Sequence, residues 1–118
     1  RAARGADNRL YPHAELIRAA DANFEKTYDK AANCFGPDEI GSHPASRSPF
    51  GIDDMAGNHS EWTISSLAPD EYIWRGGGYA FDELTLFATN RNAFDRVARF
   101  GDLGVRICAT PPASLTGQ

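Results

Sequence analysis

The stretch "GPDEIGSHPASRSPFG", residues 36–51, sets the tightest limit on what this chain can fold into. Proline fixes φ and removes an amide donor, while Gly, Ser and Asp favour turns, so no long helix or central strand survives there. From Ala31 to Gly51 the density of Gly, Pro, Ser and Asn predicts irregular backbone. Phe24 before this region and Phe35, Ile40 and Phe50 within it supply apolar anchors that disordered segments lack. The expectation is a loop held in order, with short regular elements around it.

Those elements are predicted as strands at "EWTISSL" (61–67), "EYIWRGGGYAF" (71–81), "LTLFATNRNAF" (84–94) and "LGVRICA" (103–109). Each carries β-branched or aromatic residues and is broken by turn formers. "HAELIRAADANF" (13–24) fits a brief helix with Leu16, Ile17 and Ala20 on one face, bounded by Pro12 and by Asp21 to Asn23. "TPPASLTGQ" (110–118) reads as a tail.

With 118 residues, 42% hydrophobic and 24% charged, the chain has the composition of one globular domain. No apolar run approaches the roughly 20 residues of a membrane span, and "RAARGADNR" lacks the apolar core of a secretory signal. A net charge of -4 gives no general attraction to phosphate backbones, so neither nucleic acid nor membrane is an expected partner. Two cysteines, Cys34 and Cys108, are too few for a disulfide-stapled miniature fold and lack zinc-site spacing. They read as small buried thiols, with a bridge left open.

"DDMAGNHSEWT" (53–63) packs two adjacent acids, a small-residue turn and a Glu-Trp pair together. It reads either as a strand whose polar residues cap a loop or as an oxygen cage for a hard cation. His13, His43 and His59 are scattered, so a three-His metal centre is not expected. "RGGGY" lacks the Lys-Ser/Thr end and following helix of a phosphate loop; its glycines suit close backbone approach. A triad such as Ser60, His43 and Asp82 has no nucleophile-elbow motif to support it.

Read in order, "AARGADNRLYP", "ANF", "ASRSPFGIDDMAGNHSEWT", "WRGGGYAF", "TNRNAF" and "LGVRICA" resemble the second half of the formylglycine-generating enzyme, or sulfatase-modifying-factor, family. The resemblance implies an α+β, C-type-lectin-related fold, with a small twisted antiparallel sheet, few helices and much irregular loop fixed by polar contacts and calcium. Residues 1–109 would form the C-terminal half of such a domain and 110–118 a tail. The expected partner is the N-terminal half, from upstream sequence or a second chain. A half built of loops and short strands buries little surface, and even a complete domain of about 60 residues leaves roughly 40% of its unfolded surface exposed.

The resemblance places a structural calcium on a side-chain oxygen of Asp54, the carbonyls of Gly57 and His59, a further carbonyl from Ala56, and the Glu61 carboxylate. Calcium takes six to eight oxygens and accepts carbonyls as readily as carboxylates. A second calcium would use Asn23, the carbonyl of Phe24, Asn33 and the carbonyl of Phe35, with Asp29 or Asp38 as substitutes if the loop aligns differently.

Active relatives oxidise a substrate cysteine with copper held by two thiolates, soft ligands suited to Cu(I). Here Phe81 takes the first of those positions and the second falls near Leu84 to Leu86, so no copper is expected. A further pair of family cysteines matches Ala3 and Ala88, and the family partner of Cys108 would lie before residue 1. Tyr79, Phe81, Asn90, Arg91, Asn92 and Phe94 fall where relatives place a substrate cleft or variable binding residues, with Arg91 also readable as a loop-holding residue.

Two functions follow as expectations. One is a catalytically silent, calcium-stabilised module that binds a protein or peptide within a larger bacterial protein. The other is a substrate-cleft domain of an enzyme, such as an iron-dependent sulfoxide synthase, whose catalytic residues lie upstream.

Overall fold

A computed structural model describes residues 2–29, 31 and 35–109, with the backbone alone at 65–67. Four strands form one sheet in the order β3-β2-β1-β4: β1 Ser60–Ala68, β2 Glu71–Arg75, β3 Asn92–Asp95 and β4 Leu103–Gly104. β1 and β2 make an antiparallel hairpin across Pro69 and Asp70, where proline presets the backbone of a tight turn. β3 extends the sheet antiparallel to β2, pairing Trp74 with Asn92 and Tyr72 with Phe94.

The sheet differs from the all-antiparallel expectation, because β4 lies parallel to β1, with Ser60 opposite Leu103. A parallel partner needs a long connection, and residues 69–102 provide it.

Two further expectations are corrected. "LTLF" is no strand: Glu83–Leu86 forms a 3-10 turn whose N-cap Asp82 accepts from the Thr85 amide at 3.2 Å. "HAELIRAADANF" forms turns and bends without a helix. Leu16 is 80% exposed, only Ile17 of the expected apolar face reaches the core, and the Asp21 carboxylate accepts from the Arg18 amide, so a side chain competes for the backbone. Among the described residues, helical structure amounts to that turn and a second 3-10 turn at Pro44–Ser46. None is long and apolar enough to cross a membrane.

The core belongs to the loops more than to the sheet. Tyr11, Ala22, Phe24, Ala56 and Leu86 pack into one buried cluster, with Ile17 and Phe87 at its margin. Gly77 permits this packing: its φ is +67, and a Cβ there would meet Leu86 Cδ1 at 2.7 Å. The close approach expected of the glycine run is therefore made to the 83–86 turn.

One face of the sheet is aromatic. Trp62 stacks on its cross-strand partner Trp74 at 6.3 Å, and Phe94 and Phe100 lie 4.4 Å and 5.4 Å from the Trp74 ring. Such cross-strand and diagonal pairs hold a short sheet together where its hydrogen bonds are few.

Candidate functional site

Residues 53–61 form a tight loop before and into β1, and three of them adopt left-handed backbone: Asp54 at φ 55, Gly57 at 76 and Asn58 at 64. Asn and Asp tolerate this region better than most L-residues, which explains the residue types. Asn58 is the organiser. Its amide donates to the Asn23 carbonyl at 2.8 Å, its Oδ1 accepts from the Asp38 amide at 2.8 Å, and its Nδ2 donates to the Asp38 carbonyl at 3.2 Å. Gly57 donates to the Gly76 carbonyl at 2.8 Å, so loops from four parts of the chain meet here.

The donor set named for calcium divides in two. Among the described residues only one carboxylate oxygen of Asp54 is engaged, accepting from the Gly41 amide at 2.8 Å, and the carbonyls of Ala56, Gly57 and His59 accept no hydrogen bond. Those hard oxygens suit calcium. Glu61 is committed elsewhere: Arg106 grips its carboxylate through Nε at 2.8 Å and Nη2 at 2.6 Å, and Nη2 also reaches the Asp53 carbonyl at 3.0 Å. That hydrogen-bonded carboxylate raises the Arg106 pKa above its ordinary value, against a smaller opposing effect of burial. Asp54 and these carbonyls are oxygens of the kind calcium accepts, whereas the Glu61 carboxylate is already held by a guanidinium. Among the described residues no group of three or more His, Cys, Asp or Glu could hold a metal.

Asp54, Asn58, His59, Glu61 and Arg106 line one cavity of about 410 Å³, beside the exposed side chains of Ile40 and Ile107. The half-buried His59 ring stands edge-on to Tyr79 at 6.1 Å, with Nε2 3.3 Å from the Gly101 carbonyl.

Of the second donor set, Asn33 lies outside the described residues. Asn23 is buried and its Nδ2 donates to the Gly36 carbonyl at 2.8 Å, while the Phe24 carbonyl accepts from the Thr27 amide at 3.0 Å. Phe35 packs its ring edge-on against Tyr79 at 5.2 Å. Asp38 is taken up by protein donors: its carboxylate meets His43 Nε2 at 2.7 Å and accepts from the Tyr28 hydroxyl at 2.8 Å. Cys108 is exposed, contrary to the buried-thiol expectation, and Cys34 lies outside the described residues.

The six residues expected on a ligand face do not share one place. Phe81 and Phe94 both stand edge-on to Trp74, at 6.3 Å and 4.4 Å. Tyr79 sits apart, between Phe35 and His59. Asn90 holds a turn, donating from Nδ2 to the Thr85 carbonyl at 2.9 Å. Arg91 lines a second cavity with Arg4 and Arg75. Asn92 is exposed on β3. Ala3 and Ala88 line the cavity that holds Arg91, so the two positions matched to a family cysteine pair do come to one place.

Arg106 and the Asp38–His43 pair were not among the expected site residues. Arg106 finds its partner 45 residues away through the fold, whereas Asp38 and His43 are five residues apart and pair across the local turn.

A mixed sheet framed by loops that are tied through buried asparagines defines the class. The model of the sulfatase-modifying factor enzyme 1-like domain matches residues 1–111, and the chain belongs to that family. In structure it is similar to Treponema denticola variable protein 1, with a TM-score of 0.69 and 19% identity over 88% of this chain and 42% of that one. It is similar also to CarF, with a TM-score of 0.68 and 22% identity over 88% of this chain and 41% of that one. At these identities the likeness concerns the fold, and the chain spans about two fifths of either solved relative. No curated protein matches the sequence.

Proposed function

We propose that this chain is part of a catalytically silent member of the family, a calcium-stabilised module that binds a protein or peptide within a larger bacterial protein. The observation that carries the binding role is Trp74: its indole N–H is buried without a hydrogen-bond partner among the described residues, inside a cluster whose outer rings are exposed. Phe94 is 36% and Phe100 45% exposed. A buried donor under accessible aromatic rings is what a peptide carbonyl and an apolar side chain would together satisfy.

Silence rests on the sequence, which has no cysteine between Cys34 and Cys108 and so no thiolate pair for Cu(I) after the glycine run. Calcium rests on the unengaged carbonyls of Ala56, Gly57 and His59 beside Asp54. Four protein oxygens fall short of the usual six to eight, so water would complete the shell and binding would be weak. The N-terminal half of the domain is the proposed cover for apolar side chains such as Ile107, which is 90% exposed, and Ile40, 83% exposed.

Three measurements test this reading on the full-length protein. A displayed peptide library should yield sequences whose binding is lost in Phe94→Ser and weakened in Trp74→Phe; enrichment that both variants retain would remove the ligand face. Elemental analysis and a chelator-dependent fall in melting temperature should both report calcium, and a negative result in both removes the cage. Conversion of a cysteine-containing sulfatase peptide to an aldehyde would end the claim of silence.

A further inference from the structure

Glu61 and Arg75 are directly opposed in the β1–β2 ladder, a placement that ordinarily makes a cross-strand ion pair. The pair is not made. Glu61 gives both oxygens to Arg106, and among the described residues the Arg75 side chain has one hydrogen bond, from Nη1 to the Asn90 carbonyl at 3.2 Å.

Arg75 opens onto a cavity of about 390 Å³ that Arg4 and Arg91 also line. Arg4 spends one amino group on Asn8, and its Nε is buried with no hydrogen-bond partner among the described residues. Arg91 makes no hydrogen bond or ion pair among the described residues. Burial first, and the charge of Arg91 second, lower the Arg75 pKa from its ordinary value, the signature of a guanidinium that has lost water and gained a like charge. Both carboxylates on the same wall are engaged, Glu61 by Arg106 and Asp54 through one oxygen by the Gly41 amide.

We propose that the cavity lined by Arg4, Arg75 and Arg91 is an oxyanion-binding site that takes a carboxylate or phosphate group. Guanidinium groups present planar forks of donors that match such oxygens two at a time, and an entering anion removes the repulsion between Arg75 and Arg91. Trp62, Thr63 and Phe87 complete the walls, so the group enters beside apolar surface and gains from the lower local dielectric. Trp62 stacks on Trp74 and so borders the aromatic face too, but the three arginines take no part in that face and the site stands or falls without it.

The test titrates the full-length protein with inorganic phosphate and, in a second arm, with glutarate, at low ionic strength. Saturable binding of one or both is expected, and which arm responds tells phosphate from carboxylate. Arg75→Gln should weaken that binding about tenfold, as loss of a charge-assisted hydrogen bond does. Because Arg75 also holds Asn90, Arg91→Gln is the second variant. It should weaken binding similarly, leave the anion-free melting temperature unchanged or higher, and abolish the stabilisation that the anion gives the wild type. Arg99→Gln, at a guanidinium that donates to the Val97 and Ala98 carbonyls, should bind as the wild type does. Absence of saturable binding in both arms, or undiminished binding in Arg91→Gln, overturns the proposal.

Discussion

Arg106 clasps the Glu61 carboxylate through two nitrogens, 2.8 Å and 2.6 Å away, and so ties the segment after β4 to the start of β1. Side-chain exposures of 31% and 23% keep this pair only partly screened. Arg106→Gln should lower unfolding stability by about 2 kcal/mol in denaturant titrations, since it strips a half-buried carboxylate of its partner. The same variant frees Glu61 for a cation. Added calcium should therefore raise its melting temperature more than it raises that of the wild type, and an equal response would place calcium elsewhere.

Gly57 has φ +76, and a Cβ there would overlap the Asn23 carbonyl oxygen, itself the acceptor for the Asn58 amide. Backbone can yield little on either side. Gly57→Ala should cost about 2–3 kcal/mol and disturb the Asn58 contacts, visible as faster amide exchange at Asn58 and Asp38. An unchanged exchange pattern would show that the loop tolerates the side chain.

Leu86 has no solvent exposure and sits among Tyr11, Ala22, Phe24 and Ala56. Leu86→Ala leaves a cavity in a core made by loops, with a loss of about 3 kcal/mol expected by chemical denaturation. A loss under about 1 kcal/mol would mean that the loops close over the gap.

His43 is buried, with Nε2 2.7 Å from the Asp38 carboxylate and Nδ1 3.1 Å from the Ala20 carbonyl. Asp38→Ala removes the acceptor at Nε2 and should cost about 1–3 kcal/mol by thermal or denaturant unfolding. Asp38→Asn keeps an acceptor and should recover part of that loss, whereas equal losses in both variants would assign the effect to the charge.

The strand cores at Trp62, Ile73 and Trp74 were legible because aromatic and β-branched runs between turn formers have few other uses. "LTLF" misled for the same reason: an apolar run of four carries no period, and the deciding signal was the Asp82 cap in front of it. The helix expected at 13–24 failed because pattern alone does not supply a surface for Leu16 to cover. At the site, the "DDMAGN" block was legible as a small-residue turn, and Asp54, Gly57 and Asn58 make it with left-handed backbone. Arg106 could not be found this way. Its partner is 45 residues distant, and a lone Arg in "LGVRICA" states no preference for one carboxylate over another.

The parallel seam between Ser60–Glu61 and Leu103–Gly104 has a consequence for synthesis. Antiparallel β2 follows β1 after a two-residue turn and can zip at once, but the other edge of β1 stays bare until the ribosome has released Gly104. Through that interval β1 offers its unpaired amides and carbonyls to any passing strand, which makes it the segment where a nascent chain is most exposed to mispairing.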